Sequence, residues 1–210
     1  IQDIDHWHEV VRSLVAEEDC DLYITGSNSK LLSSEFASLL TGRYDLFDTF
    51  TLTYSECIEF AKEYQENDTK VFSRFLRVGG FPSVWRNRYE ESDAVSEVGD
   101  ILNSIMMRDI VARYDIRKPD LLHRIFRFIC DNIGNRTSVH NIYTSLLSED
   151  RKVSKDLVYE YVDHLGSACL IYKAETYDVK GKNILTSSYK YYLADIGLKN
   201  AVCGFRPEDI

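Results

Sequence analysis

The first third of the chain alternates between helical and strand-like hydrophobic patterns. Residues 5–18 carry apolar side chains every three or four positions, which predicts a helix that Asp5 caps. Residues 21–25 form a short apolar run without strict alternation, which is typical of a strand buried on both faces. A helix over 30–40 and a strand over 46–52 are predicted to follow. Two strands with helices between them predict βα units and a partial parallel sheet.

Helical spacing dominates the middle of the chain. Thr53 and Glu56 have the spacing of a capping box, which predicts that a helix begins here. A further helix is predicted over 70–78, and it is interrupted by the sequence Gly-Gly-Phe-Pro at residues 79–82. The proline of this sequence is expected to open a short helix, because its fixed φ angle suits the first helical position.

Two longer helices complete this middle region. Ser92 is predicted to cap one that continues to about Tyr114. Pro119 is predicted to open the other, which Gly134 ends. We therefore expect a helical region over residues 67–134, separated by a boundary near residue 66 from the α/β region over residues 1–66.

The last third of the chain combines short helices with a hairpin pattern. Helices are predicted over 138–147 and 154–165, and strands over 170–177 and 188–193. Helix, turn, helix and β-hairpin is the order of a winged helix, so residues 135–210 are predicted to form a winged-helix domain. Asp195 is predicted to cap a final helix.

Composition and charge narrow the classes of protein that remain. The 210 residues carry 25 basic and 34 acidic side chains, a net charge of −9, which argues against a chain that coats nucleic acid over its whole surface. No apolar run approaches the roughly 18 residues that a bilayer requires, so we expect no membrane partner. The five cysteines form no C-x-x-C pair, which favours a reduced, cytoplasmic protein without a metal site.

Polar side chains follow the strand predicted at residues 21–25. Ser27 and Asn28 come directly after Gly26, at the carboxyl end of that strand, where open α/β sheets bind ligands. The alternative is a capped strand-to-helix turn, in which the same side chains only satisfy backbone groups. By spacing alone, this second interpretation is the more common one.

Four short motifs occur in the order and spacing of one known family. They are Ile1-Gln2, Ile-Thr-Gly-Ser at 24–27, Gly-Gly-Phe-Pro at 79–82 and Tyr-Leu-Ala-Asp-Ile-Gly-Leu at 192–198. Over nearly its whole length the chain resembles AAA-superfamily ATPases of a largely uncharacterised prokaryotic family with a domain of unknown function after the ATPase core. The resemblance implies an α/β remnant of a P-loop AAA core followed by a mainly α domain with a winged helix (α+β).

The resemblance also implies supporting catalytic roles for three residues. Ser27 or Asn28 would stand at sensor 1, which orients the attacking water or contacts the γ-phosphate. Arg43 would stand where AAA proteins place an arginine finger, which acts on a neighbouring subunit and therefore implies a homo-oligomer. The alternatives are turn capping for Ser27 and stabilisation of a helix C-terminus for Arg43.

ATP and Mg²⁺ are implied for the parent protein, but the motifs that hold nucleotide most tightly are missing from this sequence. No G-x-x-x-x-G-K-[ST] segment occurs, and the two Walker B acids would lie before residue 1. We therefore expect an internal fragment that alone neither hydrolyses ATP nor binds it well. The first hypothesis is a fragment of an ATP-dependent regulator or remodeller.

The second hypothesis is a DNA- or protein-binding module without catalytic activity. Six basic side chains lie around the predicted helices and wing: Arg136, Arg151, Lys152, Lys155, Lys180 and Lys182. The positions of helix 154–165 that are expected to face solvent are net acidic, which is unfavourable for a helix that reads the major groove. The alternative to DNA contact is a protein-interaction or lid domain on the ATPase core.

Overall fold

The described part of the chain is mainly helical, with one small antiparallel sheet. The structure is a computed structural model, and it describes residues 6–17, 21–26, 45, 47–63, 67–87, 90–148, 153–175 and 189–204. The chain divides into two compact units, Ile1–Asp48 and Thr49–Ile210. Within these described ranges no helix combines the length and the apolar character that crossing a membrane requires.

The first unit contains the helix α1 (Trp7–Glu17), which confirms the helix predicted over residues 5–18. Val11 is buried, and Trp7 and Ile24 pack against it. The other members of the predicted apolar stripe, Val10 and Leu14 among them, are exposed. The helix predicted over 30–40 lies outside the described residues.

The buried strand predicted at residues 21–25 is not observed. Residues 21–26 have no regular secondary structure and no strand partner among the described residues. Leu22 is 39% exposed and Tyr23 84% exposed, whereas a central strand would bury both. Ile24 is half-buried and packs against Val11 of α1. The prediction of a partial parallel sheet is therefore wrong for the described residues, whose strands all pair antiparallel.

The strand predicted over 46–52 is also wrong where the structure describes it. Residues 47–50 are irregular, and Phe50 is 62% exposed. Two polar groups of this segment bind distant parts of the chain. The Leu52 N–H donates to the Gly80 carbonyl at 2.7 Å, and the Thr51 hydroxyl donates to the Ala194 carbonyl at 3.5 Å. This connector, residues 49–53, is therefore held by tertiary contacts and not by a sheet.

The second unit is built from eight α-helices and three strands among its described residues. In chain order they are α2 (Tyr54–Lys62), α3 (Asp68–Val78), α4 (Pro82–Arg86), α5 (Glu91–Ser104), α6 (Pro119–Asp131), β1 (Arg136–Thr137), α7 (Val139–Leu147), α8 (Lys155–Ser167), β2 (Ile171–Ala174), β3 (Tyr189–Leu193) and α9 (Ile196–Cys203). The C-terminal helix α9 packs against α3, α5 and α6, and α8 packs against α6 and α7. One continuous hydrophobic core results, and Met106, Leu122 and Leu198 are fully buried within it.

Most helices begin where the sequence predicts, because their start signals are local. The Thr53 side chain accepts the Glu56 N–H while Glu56 accepts the Thr53 N–H, so the predicted capping box is confirmed. Pro82 and Pro119 lie in the first turns of α4 and α6, as predicted. The N-cap positions of α7, α8 and α9 are taken by three polar residues: Ser138, Ser154 and Asp195.

The long helix predicted from Ser92 to Tyr114 differs in two respects. It begins at Glu91 with Glu90 at the N-cap, so the prediction that Ser92 caps it is wrong. After Ser104 the helix continues as a π-helical segment, Ile105–Ala112. Met106 and Ile110, which are four residues apart, are both buried on the core side of this segment. Such segments are rare, and the amphipathic pattern alone does not separate them from an α-helix.

The three strands form one antiparallel sheet in the order β1-β3-β2. Arg136 faces Lys190 across β1 and β3, and Tyr172 faces Tyr192 across β2 and β3. Tyr191 is buried, whereas Lys190 and Tyr192 are exposed, so side chains alternate between the two faces of β3. The predicted strands 170–177 and 188–193 are confirmed in their described parts, and within the described residues 170–175 the first is limited to Ile171–Ala174.

Candidate functional site

The buried carboxylate of Asp195 joins two of the sequence motifs. These motifs begin at Gly79 and at Tyr192, which are 113 residues apart. Asp195 is only 6% exposed at the start of α9. Its Oδ1 accepts the Gly197 N–H at 2.7 Å, and its Oδ2 accepts the Gly80 N–H at 2.8 Å. The first bond caps α9, and the second links this helix to the segment between α3 and α4. The carboxylate is thus a capping residue and a tertiary anchor at once.

Burial raises the pKa of the Asp195 carboxyl, and hydrogen bonds from Gly80, Thr51 and Gly197 act in the opposite direction. Burial also raises the pKa of the nearby Cys57 thiol to about 12, and the charges of Asp195 and Glu56 add to this effect. A thiol with that pKa is protonated at neutral pH and is a poor nucleophile. The observed hydrogen bonds of Asp195 are those of a structural anchor.

The two glycines of the Gly-Gly-Phe-Pro motif are required because other parts of the chain approach them closely. Gly79 has φ +74°, and a Cβ at this position would overlap the Asp195 carboxylate. A Cβ on Gly80 would overlap the Leu52 carbonyl. These two positions lie between the connector and α9, so any side chain there would separate the segments that Asp195 joins.

Two further side chains fix the same junction. The Trp85 indole Nε1 donates to the Gly79 carbonyl at 2.8 Å. The Asn200 amide Nδ2 donates to the Leu76 and Arg77 carbonyls at 2.8 and 2.7 Å, which satisfies the C-terminal end of α3. We call this arrangement the Asp195 junction: Asp195, Gly79, Gly80, Trp85 and Asn200 with the connector residues 49–53. It ties together α3, α4, α9 and the connector.

Most residues that the sequence nominated for chemistry lie outside the described part of the chain. For the catalytic assignments, these are Ser27, Asn28 and Arg43; for nucleic-acid binding, they are Arg151, Lys152, Lys180 and Lys182. Their roles stay predictions. Among the described residues, no three His, Cys, Asp or Glu side chains converge on a common point as a metal site requires.

The structure describes two of the nominated basic residues, Arg136 and Lys155. Arg136 is exposed on β1, with Lys190 as its neighbour across the strands. Lys155 is exposed at the start of α8, and its Nζ lies 5.7 Å from the centre of the Tyr159 ring. They lie on different elements, and no contact between them is observed.

The solvent-facing side of α8 is acidic, as the sequence predicts. Its exposed side chains are Lys155, Asp156, Tyr159, Glu160 and Asp163. One positive and three negative charges give this face a net charge of −2. A helix of this charge would be repelled by the phosphates that flank a DNA groove.

Sequence reasoning missed a cleft of about 370 Å³ between α5, α6 and α9. His123, Arg124 and Arg127 line one wall, Gly99, Leu102 and Asn103 the second, and Ala201 and Val202 the third, with Phe126 at the base. Two sequence features could have pointed to this cleft. One is the group of basic residues on α6, His123, Arg124 and Arg127, and the other is Gly99 inside α5. Neither signal shows from sequence alone that the helices meet.

Gly99 is unusual because nothing close to it explains the missing side chain. A glycine inside a helix costs about 1 kcal/mol relative to alanine. A Cβ at Gly99 would meet no atom within 4 Å, whereas a Cβ at Gly197 would overlap the Val78 carbonyl. The space above Gly99 is part of the open cleft and is not used for helix packing.

Comparisons with known proteins support, at the level of the family, the resemblance to AAA-superfamily ATPases that the sequence motifs indicate. Residues 1–58 match the family model of an AAA domain, and residues 69–209 match that of a domain of unknown function, DUF8612. An uncharacterized protein of Haemophilus influenzae is 33% identical over 207 residues, which cover 97% of this chain and 51% of that protein. Uncharacterized protein MJ1544 of Methanocaldococcus jannaschii is 29% identical over 205 residues, which cover 93% of this chain and 45% of that protein.

The chain spans about half the length of the curated relatives it matches. No solved structure matches it significantly. The family models confirm an AAA-like protein followed by a domain of unknown function, and they leave its substrate and partners open.

The substitution Asp195→Ala should lower the free energy of unfolding by about 3 kcal/mol, because two buried N–H groups each lose an acceptor at a cost of roughly 1–3 kcal/mol. Urea denaturation of the 210-residue chain, followed by circular dichroism, measures this change. Asp100→Ala removes an exposed carboxylate inside α5 and is the control, with an expected change below about 0.5 kcal/mol. Equal changes in the two variants would show that Asp195 anchors nothing.

Proposed function

The chain belongs to the family of proteins that carry the domain of unknown function DUF8612, and on this basis we propose that it is part of an AAA-type ATP-hydrolysing regulator or remodeller. The observation that carries the proposal is the AAA-domain match over residues 1–58 directly before that domain. The 210 residues contain no G-x-x-x-x-G-K-[ST] motif, and the proposal assigns the phosphate cradle to the parent protein.

Within this proposal, three residues of the chain support hydrolysis of ATP bound with Mg²⁺ by the parent. Ser27 or Asn28 orients the attacking water as sensor 1. Arg43 neutralises negative charge that builds on the γ-phosphate held by a neighbouring copy, so the parent works as a homo-oligomer. The 210-residue chain alone is inactive, since it supplies these groups without the cradle.

We further propose that the second unit ends in a winged helix. The supporting observation is the element order β1-α7-α8-β2-β3 together with the pairing of β1 to β3. In a winged helix the second helix of this series faces the ligand. Here that helix, α8, exposes a face of net charge −2, which suits a protein surface better than a DNA groove. The module is therefore a protein-interaction or lid domain for the ATPase core.

Arg43→Ala in the parent protein should lower kcat for ATP hydrolysis by roughly 10³-fold, since arginine fingers contribute about 10³–10⁵ to such rates. Phosphate release under saturating ATP measures this rate. Arg12→Ala, which removes an exposed arginine of α1, is the charge-matched control and should leave the rate unchanged.

Two results would contradict the proposal at different levels. A parent protein without any ATP hydrolysis would remove the ATPase assignment. Hydrolysis that is unaffected by Arg43→Ala would remove the arginine finger and leave the ATPase intact.

Duplex DNA should not bind the chain at about 150 mM salt, because the acidic face of α8 opposes the phosphates. Fluorescence anisotropy with a labelled duplex across a salt series measures the affinity. The double variant Lys180→Ala with Lys182→Ala removes the predicted wing charges, and Lys70→Ala on the exposed side of α3 is the control. The opposite result would be salt-sensitive binding that the wing variant weakens and that Lys70→Ala leaves unchanged. That result would establish a DNA-binding wing.

A further inference from the structure

We propose that the exposed face of the three-stranded sheet binds single-stranded nucleic acid. Arg136 and Lys190 contact phosphates, and Tyr192 and Phe50 stack on bases. We call these four residues the sheet surface. All of them lie in the second unit, so the inference does not depend on the AAA assignment, and none belongs to the acidic helix α8.

Two positive charges lie directly opposite each other on this sheet. Arg136 on β1 is the register partner of Lys190 on β3, and both side chains are exposed. Like charges at directly opposed positions repel each other and lower the stability of a sheet. Among the described residues, no carboxylate forms an ion pair with either of them. An anion bound between the two side chains would relieve this repulsion.

A phosphate group suits this pair of cations. The guanidinium of arginine presents several N–H donors in one plane, and the lysine ammonium adds a compact positive charge. The whole chain has a net charge of −9, so its overall field repels a polyanion and binding requires a local positive site. Two cations bind phosphate weakly by themselves, so further contacts have to come from uncharged groups.

Exposed aromatic rings continue the same face of the sheet. Tyr192 is 43% exposed, and it follows Lys190 on β3 by two residues, which places both side chains on one face about 7 Å apart. Phe50 of the connector is also exposed, and its ring centre lies 5.9 Å from that of Tyr172, the strand partner of Tyr192. Stacking on a base would remove the surfaces of both exposed rings, Tyr192 and Phe50, from water.

The topology of the sheet favours nucleic acid over an added peptide strand. Lys190 and Tyr192 belong to β3, the central strand, which already pairs on both sides. The outer strands β1 and β2 have two and four residues, so they offer a peptide only a short edge for backbone hydrogen bonds. A ligand of β3 therefore has to contact side chains on the face of the sheet. Cations beside flat rings are the combination that binds single strands.

A duplex would use only part of the sheet surface. Its bases are already stacked on one another, so the exposed rings find no free base to contact. Only the two cations would bind its phosphates, and such binding weakens as salt rises. This agrees with the absence of duplex binding that is expected at about 150 mM salt.

Fluorescence anisotropy of a labelled oligothymidylate of about 12 nucleotides tests the proposal on the 210-residue chain. At about 50 mM salt, binding should be saturable with a Kd below about 100 μM. Tyr192→Ala and Phe50→Ala should each weaken binding by about fivefold or more, because each removes a stacking surface. Tyr159→Ala removes an exposed tyrosine of α8 and is the matched control, with an expected change below about twofold.

Lys190→Gln separates a ligand contact from a structural role. The substitution removes the repulsion with Arg136, so the thermal unfolding midpoint should stay the same or rise while the affinity for oligothymidylate falls. The slope of log Kd against log salt should decrease by about 0.7, since one phosphate contact is lost. Tyr192→Ala should leave that slope unchanged. Lys70→Gln on the exposed side of α3 is the charge-matched control and should leave both the Kd and the slope unchanged.

Any of three results would overturn the proposal. One is the absence of saturable binding up to about 300 μM of the chain at low salt. Another is an equal loss of affinity in the variants of the sheet surface and in the two controls, which would show that the strand binds elsewhere or only through general charge. The third is displacement of oligothymidylate by a polyglutamate peptide or a duplex as effectively as by unlabelled oligothymidylate, which would show that the rings contact no bases.

Discussion

The second unit depends on one buried carboxylate that accepts hydrogen bonds from two distant parts of the backbone. Asp195 caps α9 through Gly197 and at the same time holds the segment between α3 and α4 through Gly80. Without an acceptor, both N–H groups would be buried and unsatisfied, which is costly in a low-dielectric interior. Hydrogen bonds from the protein offset part of the loss of water around the carboxylate, whose pKa is still raised by burial.

This junction explains why one short connector and one C-terminal helix belong to the same unit although most of the domain lies between them in sequence. The Leu52 N–H donates to the Gly80 carbonyl, and the Gly80 N–H donates to the Asp195 carboxylate. The chain that follows residue 48 is therefore fixed to α9 from Thr51 onward.

Sequence reasoning was most successful where the signal is local. Thr53, Pro119 and Asp195 mark helix starts through their own chemistry, so these starts were predictable. The strand predicted over 46–52 failed because Thr51 and Leu52 bind Ala194 and Gly80, partners that no local pattern reveals. The cleft was missed for the same reason, since α5, α6 and α9 meet only in the folded chain.

Amide hydrogen exchange at Gly80 tests the central claim most directly, because its N–H is held by a side chain 115 residues away. If the Asp195 junction holds the unit together, the Gly80 and Gly197 amides should exchange only through global unfolding, as slowly as Ile125 in the core of α6. Rapid exchange at Gly80 and Gly197 while Ile125 stays protected would show that the junction opens independently, which would contradict the account.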